Sequence, residues 1–142
     1  MKRKATAVWE GALKDGSGTL STTSGVLNET SYSFSKRFED EPGTNPEELV
    51  AAAHAGCFAM YLSNVLDQAG MKADRLEATA TVTLQTGGDS GPTVTASHLD
   101  LVATIPGADE AKFLEAANTA KEKCPISKLL NAEVTLSAKL SS

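Results

Sequence analysis

The sequence is short of the residues that most often announce a function. Among 142 residues there are only two cysteines and two histidines. With no CxxC and no HxxxH, there is little from which to build a metal centre, and no metal is expected. One close pair exists, His54 and Cys57, three positions apart and so on the same side of a helix. Positive charge is also in deficit. There are 13 Lys+Arg against 18 Asp+Glu, a formal net charge of −5. That supplies no basic face of the kind nucleic acid requires, so no nucleic-acid partner is expected. The basic start, Met1-Lys2-Arg3-Lys4, leads into no apolar h-region, because Trp9 and Glu10 arrive in an alternating pattern. It is not expected to be a signal peptide. Repeats, low-complexity segments and linkers are absent. Residues 1–142 therefore read as one cytoplasmic domain, whose cysteines are thiols rather than a permanent staple. A hydrophobic content of 41% is enough for a single core.

Charge is missing in one further place. Between Glu48 and Asp67 there is no Asp, Glu, Lys or Arg. Residues 49–66 are long enough to span a bilayer. They are rich in Ala and Gly, however, and carry His54, Ser63 and Asn64, so a buried core helix is expected and no membrane partner. The helix has a clear start: Asn45 caps, Pro46 takes the first position, and Glu47 and Glu48 sit where the helix dipole favours acids. It is predicted to run to about Ala69, with Gly70 as its stop.

Elsewhere the pattern is mostly strand. Residues 5–9 and 19–23 read as a pair of strands around a turn at 14–18. Residues 32–38 alternate, which predicts a third strand with Tyr32, Phe34, Lys36 and Phe38 on one face and Arg37 on the other. Residues 75–85 and 93–105 are long strands separated by a Gly-rich loop. Residues 109–123 form a second helix, with Phe113, Leu114, Ala117 and Ala120 on its inner stripe. Pro125 interrupts it, so a short new helix is predicted over 126–130, followed by a last strand over 133–140. About six strands joined mainly by short turns, with two main helices, indicate an α+β fold with a largely antiparallel sheet.

Cys57 is the first candidate for chemistry, although a cysteine in an Ala-rich helix is often only a small core residue. Cys124 is the second. It stands before Pro125 at the cap of the short helix, where backbone N–H groups would stabilise a thiolate. The two lie 67 positions apart, so only the fold can pair them. His98 reads as an ordinary surface or edge residue of its strand. A thiolate needs a cation, and Arg37 is a candidate that Glu47 could hold bidentately. Ten residues separate Glu47 from Cys57, about 15 Å along a straight helix. Glu47 could therefore act only through Arg37, through a break in the helix, or from another chain.

Three runs together carry a resemblance. Asn45-Pro46-Glu47-Glu48-Leu49, Ala52-Ala53-His54-Ala55-Gly56-Cys57-Phe58 and Cys124-Pro125-Ile126-Ser127 resemble the OsmC/Ohr family of thiol peroxidases. Ser24-Gly25-Val26-Leu27-Asn28 and Arg37-Phe38-Glu39 are similar to its OsmC branch (osmotically inducible protein C), and the likeness spans essentially the whole chain. The resemblance implies an intertwined homodimer, with antiparallel sheets wrapped around two central helices and two sites at the interface. It implies that Cys57 is the peroxidatic cysteine, that Cys124 resolves it, and that Arg37, oriented by Glu47, stabilises the thiolate and the departing oxygen. Ohr-like members usually carry Tyr at the position of His54, and take their arginine from an earlier loop where this chain has Lys14.

The expected activity is then reduction of organic hydroperoxides, and of hydrogen peroxide less well, in protection against oxidative stress. It would pass through a Cys57 sulfenic acid and a Cys57–Cys124 disulfide, with no cofactor, and an external dithiol would regenerate the thiols. The resemblance implies dihydrolipoyl groups as that dithiol. Phe58 and Met60, with Phe38 and Trp9, would favour an alkyl peroxide. The alternative is a thiol redox sensor or a binding protein of the same fold.

Overall fold

A computed structural model describes residues 1–141. It is α+β, with six strands in two sheets of three, and four helices. The chain divides into two compact units, residues 1–49 and 50–142.

In the first unit β1 (Ala5–Glu10), β2 (Ser17–Thr22) and β3 (Thr30–Tyr32) form an antiparallel sheet in that order. Its packing centres on Gly18, the unit's one buried residue. A Cβ there would stand 2.5 Å from the Tyr32 ring and 2.6 Å from the Trp9 ring, so only glycine lets the two aromatics close over the strand. Their ring centroids are 5.5 Å apart. Every residue of β1 is exposed.

The strand expected over residues 32–38 is not formed. β3 stops at Tyr32, and α1 (Phe34–Phe38) follows. Two local interactions outweigh the alternation. Ser33 caps the helix by accepting from the Lys36 N–H at 3.3 Å, and Phe34 meets Phe38 one turn on at 5.0 Å between centroids. Arg37 consequently sits in the last turn of a helix rather than on a strand face.

α2 (Pro46–Gln68) begins and ends as its signals dictate. Asn45 Oδ1 accepts from the Glu48 N–H at 2.8 Å. At the other end the Met71 N–H returns to the Leu66 carbonyl at 2.9 Å, over Gly70 at φ +76°. Only glycine adopts that left-handed conformation without strain. α2 is long and apolar enough to cross a membrane, but the expectation of a wholly buried helix is not met either. Its buried residues are His54, Phe58, Leu62 and Leu66, on one face. Ala52, Gly56, Met60 and Ser63 lie exposed on another, Met60 at 79%.

In the second unit β4 (Arg75–Gln85), β5 (Thr93–Thr104) and β6 (Glu133–Leu140) form a sheet with β5 in the centre. β4 pairs antiparallel with β5 and β6 pairs with β5 in parallel, so that among the described residues the pairing is largely antiparallel, as expected, with one parallel pair. A parallel neighbour needs a crossover, and α3 (Glu110–Lys123) with α4 (Pro125–Leu129) supplies it. His98 therefore lies on a central strand, with its side chain at the surface as expected (37% exposed); its ring meets Thr135 and Ser137 of β6.

The core joins α2, α3 and β5 through Phe58, Leu62, Leu66, Leu99, Leu101 and Phe113. Each such side chain contributes roughly 1.5–3 kcal/mol when fully buried. Ala116 takes the inner position on α3 expected of Leu114, which is 38% exposed. α3 is capped by Asp109, which accepts from the Lys112 N–H at 3.1 Å.

Candidate active site

The four candidate side chains fall into two pairs. The first is ionic. Arg37 Nη2 donates to Glu47 Oε1 at 2.7 Å, and Arg37 Nε lies 3.2 Å from both carboxylate oxygens. The fork fixes the guanidinium plane as well as its position. Arg37 Cζ lies 5.1 Å from the Phe38 ring centroid. Asn45 Nδ2 donates to the Lys36 carbonyl at 3.4 Å, tying the end of α1 to the start of α2. Trp9, Leu13, Tyr32, Phe34 and Phe38 line a cleft with Arg37, so the cation looks onto an aromatic surface.

The second pair is the two cysteines, both free thiols. Pro125 explains the placing of Cys124. A residue before proline is steered out of the helical region, and Cys124 has φ −61° and ψ 139°. The chain breaks there between α3 and α4, and Cys124 becomes the α4 cap, its sulfur 3.4 Å from the Ser127 N–H. It is fully buried, whereas Cys57 is partly accessible. The Cys57 and Cys124 side chains are neighbours, close enough for the Cys124 thiol to bear on the ionisation of Cys57. A cleft of about 280 Å³, lined by Cys57, Met60, Tyr61, Asn64 and Pro125, opens at Cys57. Phe58 does not line it, being wholly in the core.

Burial pushes the Cys57 thiol above its ordinary value. A hydrogen bond with the Ile126 backbone opposes the rise, and the neighbouring Cys124 thiol adds to it. The surroundings of Cys57 within its own unit thus favour the neutral thiol.

His54 has partners that the spacing of cysteines and histidines did not suggest. It is fully buried, with Nδ1 2.6 Å from Ser97 Oγ on β5 and Nε2 2.7 Å from Ser127 Oγ on α4. Both ring nitrogens are thus engaged by hydroxyls. Ser127 Oγ also lies 3.1 Å from Cys124 Sγ. Burial lowers the His54 pKa, so the ring is neutral at pH 7. Ser127 stands three residues after Cys124, the offset at which a cap residue meets the first turn. That offset is the only sequence signal for this contact; Ser97 has none.

The family described as OsmC-like protein matches residues 38–139. Peroxiredoxin OsmC of Escherichia coli (strain K12) is 46% identical over 140 residues, which cover 99% of this chain and 97% of that one. The organic hydroperoxide resistance protein OhrB of Bacillus subtilis is 28% identical over 123 residues, 87% of this chain and 88% of that one. Its crystal structure superposes with a TM-score of 0.67, covering 97% of this chain and 98% of its own. The OsmC-like protein of Mycoplasma pneumoniae, 16% identical, shares the fold over 100% of this chain and 99% of its own, with a TM-score of 0.78. With the sequence match spanning nearly the whole chain and the fold agreeing with it, this chain belongs to the OsmC-like family.

Proposed function

We propose that this protein is a cysteine-based peroxidase that reduces organic hydroperoxides, and hydrogen peroxide less well, and protects against oxidative stress. The observation that carries the reading is the proximity of an accessible thiol, Cys57, to a buried one, Cys124. Two neighbouring thiols are what formation of a disulfide of about 2.05 Å requires. The names of the relatives, a peroxiredoxin and a hydroperoxide resistance protein, support the same class.

In the proposed cycle the Cys57 thiolate attacks one oxygen of the hydroperoxide. The O–O bond breaks, the alcohol leaves with a proton, and Cys57 becomes a sulfenic acid. The Cys124 sulfur then displaces hydroxide from it, giving the disulfide and water. An external dithiol, such as a dihydrolipoyl group, restores both thiols by exchange. Because burial raises the Cys57 pKa, the thiolate needs a cation, and Arg37 held by Glu47 is that cation. The aromatic cleft at Arg37 and the apolar cleft at Cys57 favour an alkyl or aryl peroxide over a small polar one.

The assembly we propose is a homodimer in which residues 1–142 form one domain per protomer, in the reducing cytoplasm. Two observations support it. A three-stranded sheet with one buried residue is not stable without cover. The exposed Ala52, Gly56, Met60 and Ser63 of α2 form an apolar and small-residue stripe that a second copy would bury.

Mass spectrometry after one equivalent of cumene hydroperoxide tests the activity. A Cys57–Cys124 disulfide is expected, and is lost in Cys57→Ser; unchanged free thiols in the wild type would reject the reading. Repeated turnover with dihydrolipoamide separates a peroxidase from a redox sensor, which would stop after one stoichiometric oxidation.

A further inference from the structure

The thiol that must act second is buried, and a buried thiol has no solvent to take its proton. Cys124 is 0% exposed, yet the condensation requires it to attack as a thiolate. We propose that Ser127 and His54 carry that proton: Ser127 Oγ takes it from Cys124 Sγ while passing its own to His54 Nε2. The proposal rests on the peroxidase reading above and concerns its second step. Ser127 is then a catalytic residue, touching the reacting sulfur, and His54 a positioning and relay residue that acts through it.

The geometry is a continuous chain. Cys124 Sγ and Ser127 Oγ are 3.1 Å apart, Ser127 Oγ and His54 Nε2 2.7 Å, and His54 Nδ1 and Ser97 Oγ 2.6 Å. With the proton on Nδ1, the chain runs in one direction from Cys124 to Ser97. Cys124 S–H donates to Ser127, Ser127 O–H to Nε2, and Nδ1–H to Ser97. Ser97 holds the ring in the tautomer that leaves Nε2 free to accept. Three elements meet in this chain, β5, α2 and α4, so its alignment is a product of the fold and not of one helix end. The groups facing the ring are the Ser97 hydroxyl from β5 and the Ser127 hydroxyl from α4; the nearby titratable groups are the Cys57 and Cys124 thiols. Burial keeps His54 neutral, as an acceptor must be.

The step balances. As the proton moves to His54, the Cys124 sulfur lone pair forms the S–S bond and the S–O bond of the Cys57 sulfenic acid breaks. The Cys124 sulfur is oxidised and the Cys57 sulfur reduced. The hydroxide departs through the cleft at Cys57, takes up a proton from solvent there and leaves as water, and His54 gives up the proton it gained, so that none is gained or lost overall. When an external dithiol opens the disulfide at Cys57, the path delivers a proton to the leaving Cys124 sulfur, as microscopic reversibility requires.

The test separates the two chemical steps in the full-length protein. Wild type, Ser127→Ala, Ser127→Thr and His54→Gln are mixed rapidly with cumene hydroperoxide and quenched. Dimedone adducts at Cys57 report the sulfenic acid, and intact mass reports the disulfide. Sulfenic acid should form at the wild-type rate in all four. Disulfide closure should slow roughly 100-fold in Ser127→Ala and His54→Gln, the usual weight of one proton-transfer group, while Ser127→Thr recovers most of the rate. In the wild type closure should be nearly flat above about pH 7, whereas in His54→Gln it should climb with pH towards the thiol range. Wild-type closure in folded Ser127→Ala overturns the relay, as does slowing in His54→Gln with the wild-type pH profile. Ser127 lies in a short, partly exposed helix, so Ser127→Ala decides the matter if His54→Gln does not fold. Diamide oxidises the same thiols without a hydroperoxide. A Ser127 effect on diamide-driven closure, with no reaction to hydroperoxide in any variant, would uphold the relay and reject the peroxidase reading instead.

Discussion

Glu47→Gln is the most informative single change, because it removes one charge and keeps the shape of the side chain. Glu47 is 14% exposed and Arg37 35%, and they are joined by a 2.7 Å bond with Nε at 3.2 Å from both oxygens. An ion pair this close to solvent contributes under about 1 kcal/mol to the fold, so thermal unfolding should barely move. The orientation of the guanidinium is another matter. A hydrogen bond between charged groups is worth roughly 1.5–3 kcal/mol. If that much of the hold on Arg37 is lost, oxidation of Cys57 slows by about 10- to 100-fold, since about 1.4 kcal/mol is a factor of ten. Quenched-flow mass spectrometry of Cys57 against hydroperoxide concentration measures it. Arg37→Ala should fall at least as far. The double variant should fall no further than Arg37→Ala, because Glu47 has nothing left to orient. A wild-type rate in Glu47→Gln, or additive losses in the double variant, would overturn this role for the pair.

Cys124→Ser should react once, with Cys57 left as a dimedone-trappable sulfenic acid and no turnover with dihydrolipoamide; undiminished turnover would remove Cys124 from the cycle. Met60→Glu places a charge on the exposed stripe of α2, and sedimentation should show the proposed homodimer converted to monomer. An unchanged dimer would move the interface off that stripe. The lowered pKa of His54 sets an acid limb of stability. The unfolded chain takes up a proton at His54 near its ordinary 6.5, which the folded chain resists. Stability should therefore fall as pH drops from that value through the lowered folded one, by up to about 1.4 kcal/mol per unit for this group. Urea unfolding should show His54→Gln lacking this component, and parallel curves for the two proteins would refute it.

Much of the fold was legible because its signals are local. Asn45-Pro46-Glu47-Glu48 starts α2 wherever it sits, Gly70 ends it, and Pro125 breaks the chain at Cys124 by its own sterics. β4 and β6 occupy the predicted residues because period-2 alternation over eight or more positions fits a strand and does not fit a helical stripe. Residues 32–38 misled for the same reason in reverse: over seven residues an alternating pattern also contains an i,i+4 aromatic pair, and the Ser33 cap decided for the helix. The parallel β6 was not legible, since strand direction depends on what α3 and α4 cross over.

The residues able to do chemistry were marked in the sequence alone: two thiols, a cation and a carboxylate, in the spacing of a known family. How they meet is a matter of the fold. Sixty-seven residues separate Cys57 from Cys124, and nothing local links them. The core packing of α2 and α3 against β5 brings the two cysteines near each other. The same packing carries Ser97 and Ser127 to opposite nitrogens of one buried histidine, a contact set by three elements whose mutual register no local pattern encodes.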